Sequence, residues 1–114
     1  DKEYGGLLYF IDALGYPPEA YEHDMKLWWP HDEILISSLM LYRDTRKEEY
    51  LDWYFKTLDY AKAHFSDPEY GEWYGYLHRD GTVAQPAKGN IFKGPFHVPR
   101  MMIRSYTLIQ EILK

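Results

Sequence analysis

A mainly α protein with one β-hairpin excursion is predicted by three features of this sequence. Residues 32–43 are apolar in almost every direction around a helix, whereas residues 47–65 are apolar along one face only. Residues 98–112 repeat the one-sided pattern after a loop punctuated by Gly and Pro. One helix built for burial beside two half-apolar ones predicts helical hairpins nested in an inner and an outer layer.

Size and composition agree. The chain has 114 residues, 46% hydrophobic and 27% charged, which suits one ordinary domain and excludes disorder by composition. No linker or repeat divides it, so residues 1–114 are read as one domain portion. The sequence opens at Asp1 and runs straight into Gly5-Gly6 and an apolar stretch, like a chain entered partway through a domain. A net charge of −5 argues against a nucleic-acid or anionic-membrane partner, because no basic stripe is available to displace counterions. Without cysteine there is no disulfide, thiolate nucleophile or Cys-based zinc site. The longest apolar run is too short to span a bilayer, so the expected location is cytoplasmic.

In chain order, Leu7–Ile11 is a short apolar run that the Gly15-Tyr16-Pro17-Pro18 turn reverses, predicting a loose hairpin or extended arm. Pro30 precedes the first predicted helix, Asp32 to Arg43, where its missing N–H does no harm. Ile34, Leu35, Ile36, Leu39, Met40, Leu41 and Tyr42 leave that helix no solvent face, and 114 residues are too few to surround it, so its cover is expected to lie outside this sequence. The second helix, Lys47 to Phe65, carries Tyr50, Trp53, Tyr54, Thr57, Leu58, Ala61 and Phe65 on one face and stops before Pro68. Residues 72–78 alternate, Asp80-Gly81 turns, and Val83 starts a return strand. A loop from Lys88 to Pro95 leads into a last helix with Pro99 in its first turn and an inward stripe of Val98, Met101, Met102, Ser105, Leu108, Ile109 and Ile112.

Two constellations carry chemistry. His97 sits where the loop Phe92-Lys93-Gly94-Pro95-Phe96 enters a helix, held by a rigid element yet facing the side on which pockets form. The positive end of the helix favours a neutral imidazole there, as a general base requires, and Arg100 follows one turn later on the same face. A histidine that merely caps the helix explains the local sequence equally well. The second constellation is Lys26-Leu27-Trp28-Trp29-Pro30-His31-Asp32-Glu33. A carboxylate at position 33, in the first turn of a buried helix, must be paired or functional, or else it serves the helix dipole. The tandem indoles suit core packing or a wall on which a sugar stacks. His64, the His78–Gly81 turn and Glu72-Trp73 are weaker candidates. The histidine and carboxylate spacings form no metal motif, and no metal is expected.

Three stretches in order, Lys26–Glu33 (KLWWPHDE), Asp67–Leu77 (DPEYGEWYGYL) and Phe92–Arg100 (FKGPFHVPR), resemble the C-terminal part of the N-acylglucosamine 2-epimerase family, with GGLLYFIDALG beside them. The resemblance implies part of an (α/α)6 barrel, in which an inner ring of helices lies inside an outer ring. It also implies interconversion of N-acyl-D-glucosamine and N-acyl-D-mannosamine through a C2 enediolate handled by two histidines. His97 resembles one of them; the other, with an essential arginine, belongs to family segments that precede this sequence. Glu33 resembles the essential pocket glutamate, while Trp29, His31, Phe92 and Arg100 would line the sugar site. Phe92 stands where disaccharide-active relatives usually carry Trp, and Asn90 where Gly is usual. The resemblance implies no cofactor, although a nucleotide such as ATP acts as an effector in some members, and it implies a homodimer that contains the N-terminal part of the barrel. An aldose–ketose isomerase of the same fold shares the enediolate. Hydrolysis of a glycoside, with a pair drawn from Asp32, Glu33 and Glu72, and a non-catalytic sugar-binding scaffold are the other readings.

Overall fold

The computed structural model describes residues 1–114. Helix α1 spans Trp28–Thr45, α2 Glu48–His64 and α3 His97–Ile112. Short strands β1 (Lys26–Leu27), β2 (Tyr76–Leu77) and β3 (Val83–Gln85) form an antiparallel sheet in the order β1-β2-β3. The 76–85 hairpin is the one the alternation predicts; β1 joins its other edge, pairing Lys26 with Leu77 and Leu27 with Tyr76. No helix is long and apolar enough to cross a membrane.

α1 begins at Trp28 rather than Asp32. Pro30 is its third residue, still among the positions whose N–H needs no helical partner. The Trp28 N–H donates to the Gly75 carbonyl at 3.1 Å, which ties the helix start to the hairpin. The helix ends at Arg46, a non-glycine residue at φ 57° whose N–H bonds the Tyr42 carbonyl.

α1 packs against both α2 and α3. A short link folds α2 back antiparallel to it. α3 runs parallel to α1, since Glu33 and His97 meet near their starts while Arg43 and Glu111 pair near their ends at 2.8 Å. This parallel pairing brings the N-terminal ends of two sequence-distant helices to one edge of the molecule.

Leu35, Ile36 and Leu39 of α1 meet Tyr54, Met101 and Leu108 in one core, while Leu27, Trp28, Ala61, Phe65 and Leu77 form a second core beneath the sheet. The expectation of a helix buried all round is corrected: Leu41 is 44% exposed and Ile34 and Met40 are half-buried. Two neighbouring helices cover roughly half a cylinder, so the remaining apolar side has nothing against it within this chain. The same geometry turns Trp53 (48% exposed) and Met102 (63% exposed) outward from their predicted inner stripes, and Tyr60 takes an inward position on α2.

The N-terminal arm is irregular. It pairs with residues 23–25 through Tyr9 N–H to Met25 O (3.1 Å) and Phe10 N–H to His23 O (2.8 Å). Gly6, at φ 64°, lies against Tyr60 so closely that a Cβ there would sit 2.6 Å from the ring.

Candidate active site

His97 is the first residue of α3, and Glu33 lies in the second turn of α1. The parallel packing of these helices sets His97 Nδ1 3.2 Å from Glu33 Oε1. Arg100, one turn further along α3, donates to the same oxygen. Partial burial of Glu33 opposes its ionisation, but the hydrogen bonds from Arg100 and His97 prevail and hold the carboxyl below its ordinary range. An ionised carboxylate only accepts, so Nδ1 must carry the proton and Nε2 is left as the acceptor. Nε2 has no hydrogen-bond partner within the chain.

The imidazole faces an open hollow of about 810 Å³ walled by Tyr9, Tyr21, Trp28, Trp29, Tyr76 and Phe92. The Trp29 ring lies 6.1 Å from the imidazole, and Trp28 meets it edge-on at 6.2 Å. Flat apolar faces beside an imidazole with a free nitrogen suit the C–H face of a sugar.

The structure divides the sequence-derived site residues. His97, Trp29 and Phe92 line the hollow. Glu33 and Arg100 are not part of the wall: Glu33 bonds His97, and Arg100 bonds Glu33. Because α1 starts four residues early, Glu33 is beyond the first turn, and its side chain is 36% exposed; the expectations of burial and of a dipole role both give way to direct pairing.

His31 requires a correction. It is fully buried, donates from Nδ1 to the Leu27 carbonyl at 2.7 Å, accepts the Leu7 N–H at Nε2 at 3.0 Å, and lines no part of the hollow. Burial pulls its pKa down to about 4, against the hydrogen bond to Leu27. Its position on α1, toward the arm and Tyr60, decides this.

The carboxylate pair required for hydrolysis is not assembled at the hollow. Asp32 is sealed with neither oxygen hydrogen-bonded, Glu33 is engaged by His97 and Arg100, and Glu72 accepts from Lys93 Nζ at 3.1 Å. Burial, reinforced by Glu33, pushes the Asp32 carboxyl up to about 7. Trp73 stacks on Phe65 in the core, and His64 packs on Gly81.

Sequence reasoning missed Tyr9, Tyr21 and Tyr76 as wall residues and Lys93 as the anchor of the loop before α3. Lys93 is 5% exposed; its stem crosses Gly75, and its ammonium also reaches the Lys88 carbonyl at 2.8 Å. A lysine in a Gly-rich loop carries no local sign of burial; the glycine at 75 that admits its stem is the one signal available.

The fold is similar to a portion of the helical barrels of solved sugar epimerases and isomerases. A solved D-mannose isomerase superposes with a TM-score of 0.75 at 25% identity, over 96% of this chain and 27% of its own. The cellobiose 2-epimerase of Spirochaeta thermophila DSM 6192 superposes with a TM-score of 0.73 at 26% identity, over 82% of this chain and 23% of its own. Both are of the (α/α)6 barrel type.

Residues 1–95 match the N-acylglucosamine 2-epimerase (GlcNAc 2-epimerase) family model, and the chain belongs to that family. The N-acylglucosamine 2-epimerase of Bos taurus is 48% identical over 113 residues, and that of Mus musculus 46% identical over 114. Both alignments extend through His97 and Arg100, which the family match leaves out. The chain spans 27% of the length of these relatives, corresponding to their C-terminal part.

Proposed function

We propose that this segment belongs to a sugar 2-epimerase that interconverts N-acyl-D-glucosamine and N-acyl-D-mannosamine, with His97 as one of its two acid/base groups. The observation that carries the reading is the His97 ring itself, held at Nδ1 by an ionised carboxylate and open at Nε2 beside an aromatic hollow. Ring opening exposes the C1 aldehyde. A base then takes the C2 proton, the C–H electrons delocalise into an enediolate, and a proton delivered to the opposite face of C2 gives the epimer. His97 Nε2 is suited to one of these transfers. As the ring gains its proton, Glu33 stabilises the imidazolium, and Arg100 keeps Glu33 ionised and in place.

Inversion needs a second group on the other face of the carbon, and this reading draws it from the N-terminal part of the barrel. The 114-residue chain alone is therefore expected to exchange no C2 proton in deuterated water, while the full-length protein does so. Turnover by the isolated chain would end the two-group account.

Similarity to a D-mannose isomerase over 96% of the chain supports a second reading, in which the same enediolate is reprotonated at C1. Product NMR with N-acetylmannosamine and with mannose separates the two. Proton transfer beside an aldehyde is histidine chemistry, so the proposal includes no cofactor and gives a nucleotide at most an effector's part. A cytoplasmic homodimer completes the proposal, tested by sedimentation and by cell fractionation.

A further inference from the structure

The wall of the hollow is mostly aromatic and aliphatic, and besides His97 its polar groups that are not aromatic come from Glu22, Gln85 and Asn90. Asn90 is fixed by its own turn: its Oδ1 accepts the Phe92 and Lys93 N–H groups, each at 2.8 Å. With the oxygen committed, the Asn90 amide nitrogen points the other way and donates to Gln85 Oε1 at 3.2 Å. That bond engages Gln85 Oε1 and leaves Nε2, which can only donate, without a partner in the chain. Gln85 ends β3 opposite Tyr76, whose ring shares the same wall, so its backbone is held by the sheet. The side-chain amide at position 90 serves both ends, its oxygen accepting from the turn and its nitrogen donating to Gln85.

We infer that Gln85, oriented by Asn90, is a specificity-determining residue that donates a hydrogen bond to an acceptor oxygen of the sugar held in the hollow. Asn90 is a positioning residue and acts only through Gln85. The inference rests on the sugar-epimerase reading and adds a residue that reads the substrate. A side chain that presents N–H groups favours a hydroxyl or an acylamino carbonyl over an ammonium substituent, which has no lone pair to accept them.

The test uses the full-length protein, with C2 exchange kinetics on N-acetylmannosamine and mannose and side-chain amide NMR during titration with each sugar. Gln85→Leu is expected to raise KM about tenfold with kcat within about twofold, since a neutral hydrogen bond made equally in ground and transition states affects binding alone. Asn90→Asp keeps both turn hydrogen bonds but replaces the donor by an acceptor, turning the glutamine amide over. With a carbonyl partner it should raise KM to a similar degree, whereas a hydroxyl can donate to the overturned amide oxygen and KM stays near wild type; the melting temperature is unchanged in both cases. Gln85→Glu separates the two oxygen types: a hydroxyl can donate to the carboxylate and KM stays near wild type, whereas a carbonyl faces a second acceptor and KM rises at least as far as in Gln85→Leu. An unchanged KM in Gln85→Leu would overturn the assignment while wild-type exchange leaves the epimerase reading standing. If the wild type exchanges no C2 proton, NMR still decides. A Gln85 amide signal that moves on adding sugar upholds the contact without the chemistry, and a Trp29 indole signal that moves alone removes it.

Discussion

His31 and His97 both lie in the first turns of helices, both belong to motifs shared with the same family, and the structure gives them opposite lives. At the arm–α1 junction both nitrogens of His31 are used by the backbone and the ring is fully buried. At the α1–α3 edge one nitrogen of His97 is held by a carboxylate and the other is open. What separates a structural imidazole from a reactive one is therefore the partner set, since a ring bonded on both sides has no lone pair left for a substrate.

The largest effect that would sharpen this contrast is on activity. In the full-length protein His97→Gln should lower C2 proton exchange roughly 10²- to 10⁴-fold, the range for loss of an acid/base group, with the melting temperature unchanged. Exchange within tenfold of wild type would remove His97 from the chemistry.

His31→Ala should act on stability instead. It leaves the Leu7 N–H and Leu27 carbonyl unpaired and opens a cavity against Tyr60 and Phe65, a cost of about 2–4 kcal/mol by denaturant unfolding. A loss below about 0.5 kcal/mol would mean that the arm is not held through this ring.

The next effect is a pH dependence with two opposed parts. The pKa of His31 falls from 6.5 to about 4 on folding, so the unfolded chain binds the extra proton and stability is lost as pH drops from 6.5 towards 4. That of Asp32 rises from 3.8 to about 7, so the folded chain binds the extra proton and stability is lost as pH climbs from 3.8 towards 7. Across pH 4–6.5 the slopes largely cancel. Asp32→Asn should unmask the His31 slope and, at pH 8, stabilise the protein by on the order of 2 kcal/mol. An Asp32→Asn curve parallel to wild type between pH 4 and 8 would contradict the burial of that carboxyl.

The smallest effect concerns the support of His97. Arg100→Lys retains the charge but loses the planar fork, so Glu33 is held less firmly and exchange should fall about tenfold. Arg100→Lys at full rate would show that the Glu33–His97 pair holds itself.

Much of this molecule was legible in one dimension. The three helices, the 76–85 hairpin and the loop entering at His97 follow from periodicity and from Pro and Gly punctuation, which are local properties. The family follows from three ordered motifs. Less legible were the α1 start, because Trp28-Trp29 precedes the proline read as its boundary, and the exposure of Trp53, Met102 and Leu41, because periodicity marks an apolar face without saying what covers it.

The sequence by itself determined which segments are helical, where they stop, and which residues are able to transfer a proton. Only the tertiary structure decided which of them meet: that Glu33 and His97, 64 positions apart, share one hydrogen bond, that His31 is sealed, and that the Asn90 amide bonds Gln85. The reason is range. Periodicity and capping act over a few residues, whereas an imidazole's role depends on what reaches each nitrogen, and that is set by the parallel packing of two helices far apart in the chain.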